Sequence, residues 1–567
     1  MRNNADIYTR LVPVVSLSKM LTRRAALASA FAPAVLKAAP ARPNVIFILT
    51  DDQGYGDVSL HGNPNLRTPN MDAIAQQGVQ FTRFHVMPVC SPTRSCLMTG
   101  RYNYRTGVVD TYLGRSMMHS SEVTVAESLA AAGYQTGLFG KWHLGDNYPL
   151  RAMDQGFQTA LTLRGGGLAQ PASPPNTGYF DPPLELNGRR AIRKGYCSDI
   201  FFDEALQFIE KNRRKPFFTY ISTNAPHTPL EIKEEWAEPY RKAGLDDTTA
   251  RIYGMVANLD SNIGRLMEHL RRLNLEQNTL LWFMTDNGPQ QPRFNAGLRG
   301  LKTTPYEGGI RVPSFLRWPA KIQPGTKDAR IAAHIDFLPT VLDACGVPPP
   351  KDHKIDGRSL LAPPVERSLY FQWHRGDAPE AFRNCAVLTD RWKLVGTDKR
   401  EPELYDLPND PGESKNLAAA EPAIARKLRY QYDAWFADVS AERGYAPPRI
   451  FVGTPHENPV ILSRQDWRGP QASWNADGLG HYEIDVRSTT TFEVTLRFPP
   501  TTQDATAILT CGSVRQEVPV PAGATQVVLS KVVLPQGPAN IEGSLQLAGR
   551  RIGAHYLELR TGKPSAK

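Results

Sequence analysis

The 567 residues exceed what one hydrophobic core usually serves, so the chain is expected to divide into two or three domains. With 41% hydrophobic and 22% charged residues it has the composition of an ordinary globular protein, and six cysteines are too few for a disulfide framework. The net charge of +10 belongs partly to the N-terminus: residues 1–41 hold six Lys/Arg and one Asp, the remainder is at +5, and no Lys/Arg block of the kind a nucleic-acid surface needs is left.

In chain order, Thr22-Arg23-Arg24 precedes an apolar run over 25–36 and then Ala39-Pro40-Ala41. That order predicts an export signal over 1–41, of the twin-arginine type, with Met20 as an alternative start and a periplasmic or secreted product. The apolar run is interrupted by Pro33 and falls short of the roughly 20 residues a span needs, so no stable membrane span is expected. From Asn44 to about Gly346 short apolar runs alternate with amphipathic stretches, which predicts an α/β domain over 43–346 with a mostly parallel sheet flanked by helices. Strands are expected at 45–50, 135–139, 217–222 and 280–285. Helices are expected at 69–77, with Gly78 as the stop, at 123–132, with Gly133, and at 199–211. Ser91 and Pro92 read as N-cap and first residue of a further helix that Gly100 ends, which sets Cys90 just before its N-terminus. Residues 163–190, rich in Gly, Pro and Asn, read as a long loop over one face of the core, and loops of that length are usually functional. Beyond a Pro-rich joint, 365–445 reads as a small α+β subdomain, with a strand at 392–395 and a helix around 422–436. Over 449–562 the pattern alternates, at 481–486, 491–498, 526–533 and 554–559, as in an all-β, sandwich-like module.

In an open α/β sheet, sites form at the carboxyl ends of the strands. The run 45–50 ends in Asp51-Asp52, 280–285 in Asp286-Asn287, and 135–139 in Gly140-Lys141-Trp142-His143, while 217–222 approaches Pro226-His227. Alone, the first pair reads as a helix cap and the second as a turn. Together they supply four oxygen-bearing side chains, hard ligands that suit Ca²⁺ or Mg²⁺ better than Zn²⁺, and three packed carboxylates repel one another without a cation. Lys141 and His143 are two apart, so extended backbone points both to one side. Lys302, in Arg299-Gly300-Leu301-Lys302, reads alone as an ordinary loop lysine. Cys90 and Cys96 read alone as one bridge or two buried thiols. At a helix N-terminus, free N–H groups and the helix dipole favour an anion at residue 90, within reach of Arg94 one turn on.

Cys90-Ser91-Pro92-Thr93-Arg94, continued by Leu97-Met98-Thr99-Gly100-Arg101, resembles the signature of the formylglycine-dependent sulfatases, arylsulfatase-like members of the alkaline phosphatase superfamily. Asp51-Asp52 before it, and Gly140-Lys141-Trp142-His143-Leu144-Gly145, Ala225-Pro226-His227, Asp286-Asn287-Gly288 and Lys302 after it, come in that family's order. The resemblance spans about 43–445, including Leu404-Tyr405-Asp406-Leu407, and leaves the final β module outside. It implies an alkaline-phosphatase-like α/β fold and a sulfuric ester hydrolase acting on a sulfate ester, a sulfated polysaccharide or an aryl sulfate. It further implies that a formylglycine-generating maturation enzyme oxidises Cys90, and that the product hydrates to a geminal diol. Asp51, Asp52, Asp286 and Asn287, with an oxygen of residue 90, are then the ligands of the metal, usually Ca²⁺, with Mg²⁺ as the alternative. Arg94 and His143 anchor and deprotonate the diol, Lys141 and Lys302 hold sulfate oxygens, and His227 protonates the leaving alcohol. One hydroxyl attacks sulfur; the second drives sulfate out as the aldehyde re-forms. Two other readings stay open: a phosphonate or phosphodiester hydrolase of the same superfamily, and a non-catalytic polysaccharide-binding protein that uses the β module. The Gly-Lys-Trp-His segment and the complete residue set favour the sulfatase.

Overall fold

The computed structural model describes residues 42–562; the expected export signal over 1–41 lies outside the described residues. Ten strands form one sheet in the order Thr326–Asp328, Val79–Phe81, Ser314–Arg317, Thr279–Thr285, Asn44–Thr50, Phe217–Ser222, Gln135–Lys141, Thr159–Leu163, Pro183–Leu186, Arg189–Ile192. The five strands from Thr279–Thr285 to Thr159–Leu163 are parallel, and antiparallel pairs adjoin them on both sides. Asn44–Thr50, Phe217–Ser222 and Thr279–Thr285 are buried at every residue. Strands covered on both faces read as continuous apolar runs, which is why these were legible. Ile46 and Ile48 pack with residues of the helices Cys197–Asn212 and Asp247–Arg272, whereas Val45, Phe47 and Leu49 face Val125–Ala131 and Phe337–Cys345.

Several local expectations are corrected. The segment 163–190 is not all loop: Pro183–Leu186 and Arg189–Ile192 form a hairpin that extends the sheet. Its turn is Asn187-Gly188, both at positive φ (49° and 73°), the dipeptide a tight hairpin turn favours. The helix expected to start at Ser91 runs Cys90–Thr99, with extended Val89 as its N-cap and no side-chain cap bond. Cys90 is thus inside the first turn. Pro92 falls third in the helix, where its missing N–H is still one of the groups without an intrahelical partner. Val125–Ala131 starts later than expected because Thr124 and Glu127 form a capping box. All six cysteines are free and buried, so Cys90 and Cys96 are two thiols.

Toward the C-terminus, Leu369–Gln372, Cys385–Leu388, Trp392–Gly396 and Pro402–Asp406 make an antiparallel sheet. The helix Pro422–Ala441 covers it, and Tyr102 and Tyr104 join their core. Two further sheets follow. One runs Ile450–Val452, Tyr482–Val486, Gly537–Leu547, Ala505–Cys511, Val514–Val520; the other Val460–Ser463, Tyr556–Thr561, Thr490–Arg497, Gln526–Leu534. Ile484, Leu509 and Leu545 of the first share a core with Leu462, Val494 and Leu557 of the second, a sandwich arrangement. Leu113, Met117 and Leu150, from before the second half of the α/β sheet, belong to that same core.

Candidate active site

Parallel strands end together, and their ends place the polar residues. Asp51-Asp52 follow Asn44–Thr50, Asp286-Asn287 follow Thr279–Thr285, Lys141 is the last residue of Gln135–Lys141, and Ser222 ends Phe217–Ser222. The Lys141 Nζ donates to Asp51 Oδ2 at 2.6 Å, and Lys302 Nζ meets Asp52 Oδ1 at 2.6 Å. Arg94 grips Asp286 Oδ2 through Nη2 (2.7 Å) and Nε (3.1 Å), and its Nη1 donates to Ser222 Oγ (2.6 Å) and the Lys141 carbonyl (3.3 Å). Three carboxylates and three fixed cations therefore interlock where the sheet ends, and none of these side chains exposes more than 12% of its surface.

The strand could not deliver these side chains without glycine. Gly140 has φ 125°, and a Cβ there would lie 1.8 Å from the Ser222 carbonyl oxygen. The expectation that alternation aims Lys141 and His143 together does not hold. The strand stops at Lys141, and His143 turns through a left-handed conformation (φ 60°), as does Asp52 (φ 63°). Such backbone in a non-glycine residue costs about 1–3 kcal/mol and concentrates at functional sites. The Nε2–H of His143 donates to the Thr111 carbonyl (2.8 Å), and its buried Nδ1 has no partner among the described residues. The His227 Nδ1–H donates to the Thr228 carbonyl (2.7 Å), which leaves Nε2 at 3.8 Å from Asp52 Oδ2.

Burial, then the Asp51 charge, push Asp286 up to about 6 against the pull of Arg94. Burial acts on Asp52 in the same sense, but Lys302 and His227 overcome it and hold that carboxyl well below the usual range. The Cys90 thiol is pushed up by burial, with Lys141 and Lys302 acting in the opposite sense. A raised thiol lacks the thiolate character of a cysteine nucleophile. Burial and Lys141 hold the His143 ring neutral, and burial lowers His227 to about 4 although Asp52 opposes it.

Asp51 Oδ1, Asp52 Oδ2 and Asn287 Oδ1 are buried without a hydrogen-bond partner among the described residues. Unpaired buried oxygens are costly, and three that are all hard anionic or amide donors fit a divalent cation such as Ca²⁺ or Mg²⁺. Ligand atoms of Asp51, Asp52 and His227 also lie within 4.8 Å of one another, and Asp286 beside them is held by Arg94 and by the Asp52 N–H (3.3 Å).

A cavity of about 470 Å³ is lined by Cys90, His143, His227 and Lys302. Lys141 and Arg94 lie fully buried behind it. The long loop contributes Gly166 and Gln170 to the lining, and a Cβ on Gly166 would stand 2.5 Å from Cε1 of His143. Sequence reasoning missed these, although the Gly165-Gly166-Gly167 run was a visible signal. It also missed Tyr112, Arg375 and Trp474, which line the cavity, and Gln465, whose Nε2 donates to the same Thr111 carbonyl that His143 uses (3.0 Å). Nothing local marks those four.

Comparison with known proteins adds an independent line. Residues 43–347 match the family model for sulfatases, and 301–434 match that for the C-terminal region of N-sulphoglucosamine sulphohydrolase. Human arylsulfatase A is 31% identical over 488 residues, 74% of this chain and 92% of the relative. Human N-acetylgalactosamine-6-sulfatase is 31% identical over 371 residues, 60% of this chain and 69% of its own length. Among solved structures, Ps i-CgsB superposes with a TM-score of 0.66 at 28% identity, covering 71% of this chain and 94% of that one; it has also been solved with k-i-k-neocarrahexaose.

Proposed function

The chain belongs to the sulfatase family, the sulfuric ester hydrolases, and from that premise we propose that its working nucleophile is a formylglycine made from Cys90, assisted by a divalent cation, Ca²⁺ or Mg²⁺, at Asp51, Asp52, Asp286 and Asn287. The observation that carries the reading is the set of partnerless buried oxygens on Asp51, Asp52 and Asn287, in the same charged cluster that acts on Cys90. A formylglycine supplies a hydrated aldehyde with one hydroxyl to attack sulfur and one to drive sulfate out, and the cation supplies positive charge beside them.

The remaining roles follow from the chain's own atoms. Lys141 and Lys302 are ammonium groups in contact with Asp51 and Asp52, positioned to turn toward the oxygens of a sulfate group that enters between them. Arg94 fixes Asp286 through two hydrogen bonds and orients the face that residue 90 meets. Because the Nε2 of His143 carries the proton it donates to Thr111, its Nδ1 is the lone pair available to take a proton from residue 90. The ring's neutral state suits that role. His227 presents Nε2, and the negative charge of an incoming sulfate favours the protonated ring that can donate to the leaving alcohol.

The substrate we infer is a sulfate ester on a saccharide. Support comes from relatives named for N-acetylgalactosamine-6-sulfate and from the neocarrahexaose complex of Ps i-CgsB. Export to the periplasm or medium, read from Thr22-Arg23-Arg24, agrees with a polymeric substrate; among the described residues no helix is long and apolar enough to cross a membrane. The reading requires a maturation enzyme in the host. Cys90→Ala should abolish release of inorganic sulfate while leaving the melting curve unchanged, and mass spectrometry of the tryptic peptide ending at Arg94 should show loss of the thiol in active wild-type enzyme. Multiple turnovers by Cys90→Ala, or an active enzyme with an intact thiol at 90, would remove the nucleophile from this account.

A further inference from the structure

The cavity that holds Cys90, His143, His227 and Lys302 has a second wall that none of those roles uses. Its parts are Tyr112, Arg375 and Trp474. Trp474 comes from the connection between Val460–Ser463 and Tyr482–Val486, so the C-terminal sandwich itself reaches the cavity. The indole meets the Tyr112 ring edge-on, with centroids 5.0 Å apart, and its N–H donates to the Arg464 carbonyl at 3.2 Å, which fixes its direction. The Arg375 guanidinium lies 4.4 Å over the Tyr112 ring and half exposed.

The charge balance of this wall is positive. Arg375 and Arg115 both approach Asp110, at 3.0 and 3.5 Å, while Arg115 and Arg468 share Asp377, at 2.7 and 2.8 Å. Three guanidinium groups thus face two carboxylates. The rest of the lining around it is amide and hydroxyl, from Gln170, Gln290, Thr228 and Thr303. Part-exposed aromatic rings among hydroxyl- and amide-bearing side chains suit a ligand with C–H faces and many hydroxyls, and a half-exposed guanidinium in a cluster with one positive charge in excess suits a sulfate or carboxylate.

We propose that this wall is a second binding site that takes the neighbouring unit of an anionic saccharide, with Trp474 and Tyr112 stacking on the sugar ring and Arg375 pairing with an acidic group other than the ester being cleaved. The proposal rests on the reading of Cys90 as the sulfate-ester site. It makes Trp474 and Arg375 specificity-determining residues, and gives the C-terminal sandwich a part in substrate choice. A site away from the reacting sulfur binds ground and transition states alike, so its loss is read in KM.

The test uses the full-length matured enzyme and three probes: 4-nitrophenyl sulfate, a monosulfated disaccharide, and the same disaccharide with a second sulfate on the neighbouring unit. Relative to its effect on 4-nitrophenyl sulfate, Trp474→Ala should raise KM for both disaccharides by a further factor of about ten or more with little change in kcat, and Trp474→Tyr should restore most of the loss. Arg375→Gln should raise KM about tenfold for the disulfated probe alone. Thermal melts check that each variant is folded. Equal effects on all three probes, or a wild type that does not prefer the disulfated disaccharide, overturn the second site while leaving the sulfatase reading intact. A wild type that releases sulfate from none of the probes rejects the Cys90 reading itself, and the proposal with it.

Discussion

At the scale of single residues, the two lysines of the candidate site are not equivalent. Lys141 is fully buried and bonded to Asp51, whereas Lys302 keeps 12% of its side chain exposed beside Asp52. Removing the partner of a buried charge typically costs about 3–5 kcal/mol, so Lys141→Ala should lower the melting temperature markedly as well as the rate. Lys302→Ala strands the buried Asp52 carboxylate, so it too should lower the melting temperature, and it should reduce kcat about 10²- to 10³-fold. Paired thermal melts and sulfate-release kinetics check both, and an unchanged kcat for Lys302→Ala would take that residue out of the site. Asp51, Asp52, Lys141 and Asp286 were legible in the sequence because each sits at the end of an apolar run, whereas Arg94 and Lys302 were legible only through the resemblance of their motifs. Their pairings were not, since the contact between Lys302 and Asp52 joins loops that only the folded sheet brings together. The wall residues Tyr112, Arg375 and Trp474 carried no local signal, because each is an ordinary aromatic or cationic residue until three remote segments meet.

At the scale of elements, the central strands were legible because burial on both faces leaves a continuous apolar run, and their ends gave the site. The reading weakened where a choice depends on one or two residues. It overlooked the Asn187-Gly188 turn because the surrounding Gly/Pro-rich segment masked the short flanking strands, and it misplaced the start of Cys90–Thr99 by assuming that serine would cap. The glycine run in the long loop has a different use. It lets backbone lie against His143, where a Cβ at 166 would come to 2.5 Å from the ring. Gly166→Ala should therefore displace that imidazole and lower kcat by about 10²-fold, as small misplacements of catalytic groups do, with the sheet intact. A normal circular dichroism spectrum with a depressed kcat is the expected pair of results; wild-type kcat would show that the ring has room to move.

At the scale of the whole molecule, the C-terminal sandwich is joined to the α/β region through shared core and shared charge. Leu113, Met117 and Leu150 sit in its hydrophobic core, so ending the chain before 449 should expose them and give aggregation or a large fall in melting temperature, along with lost activity. A soluble, fully active truncated enzyme would show that the two parts are independent. Charge at the junction adds a pH dependence. Burial raises Asp146 to about 6, with Arg164 opposing, and burial raises Asp466 as well, with Asp146 adding to the effect. A carboxyl raised on folding binds protons more tightly in the native state, so its contribution favours folding at low pH and turns unfavourable as pH rises from the ordinary aspartate value of 3.8 through 6. Asp146→Asn should accordingly raise the melting temperature above pH 7, with the gain fading by about pH 4. A gain that does not vary with pH would point to packing instead.

One hydrogen bond gives that junction a temporal meaning. The Thr111 carbonyl accepts from His143 and from Gln465 together, and Gln465 belongs to the last fifth of the chain. Synthesis runs from the N-terminus, so every residue of the proposed catalytic set has been made well before this support arrives. A chain that stops short of Gln465 would hold the proposed nucleophile and ion-binding residues with His143 as the one side chain of the two on that carbonyl. The tail thus adds the last restraint on the carbonyl that holds the imidazole.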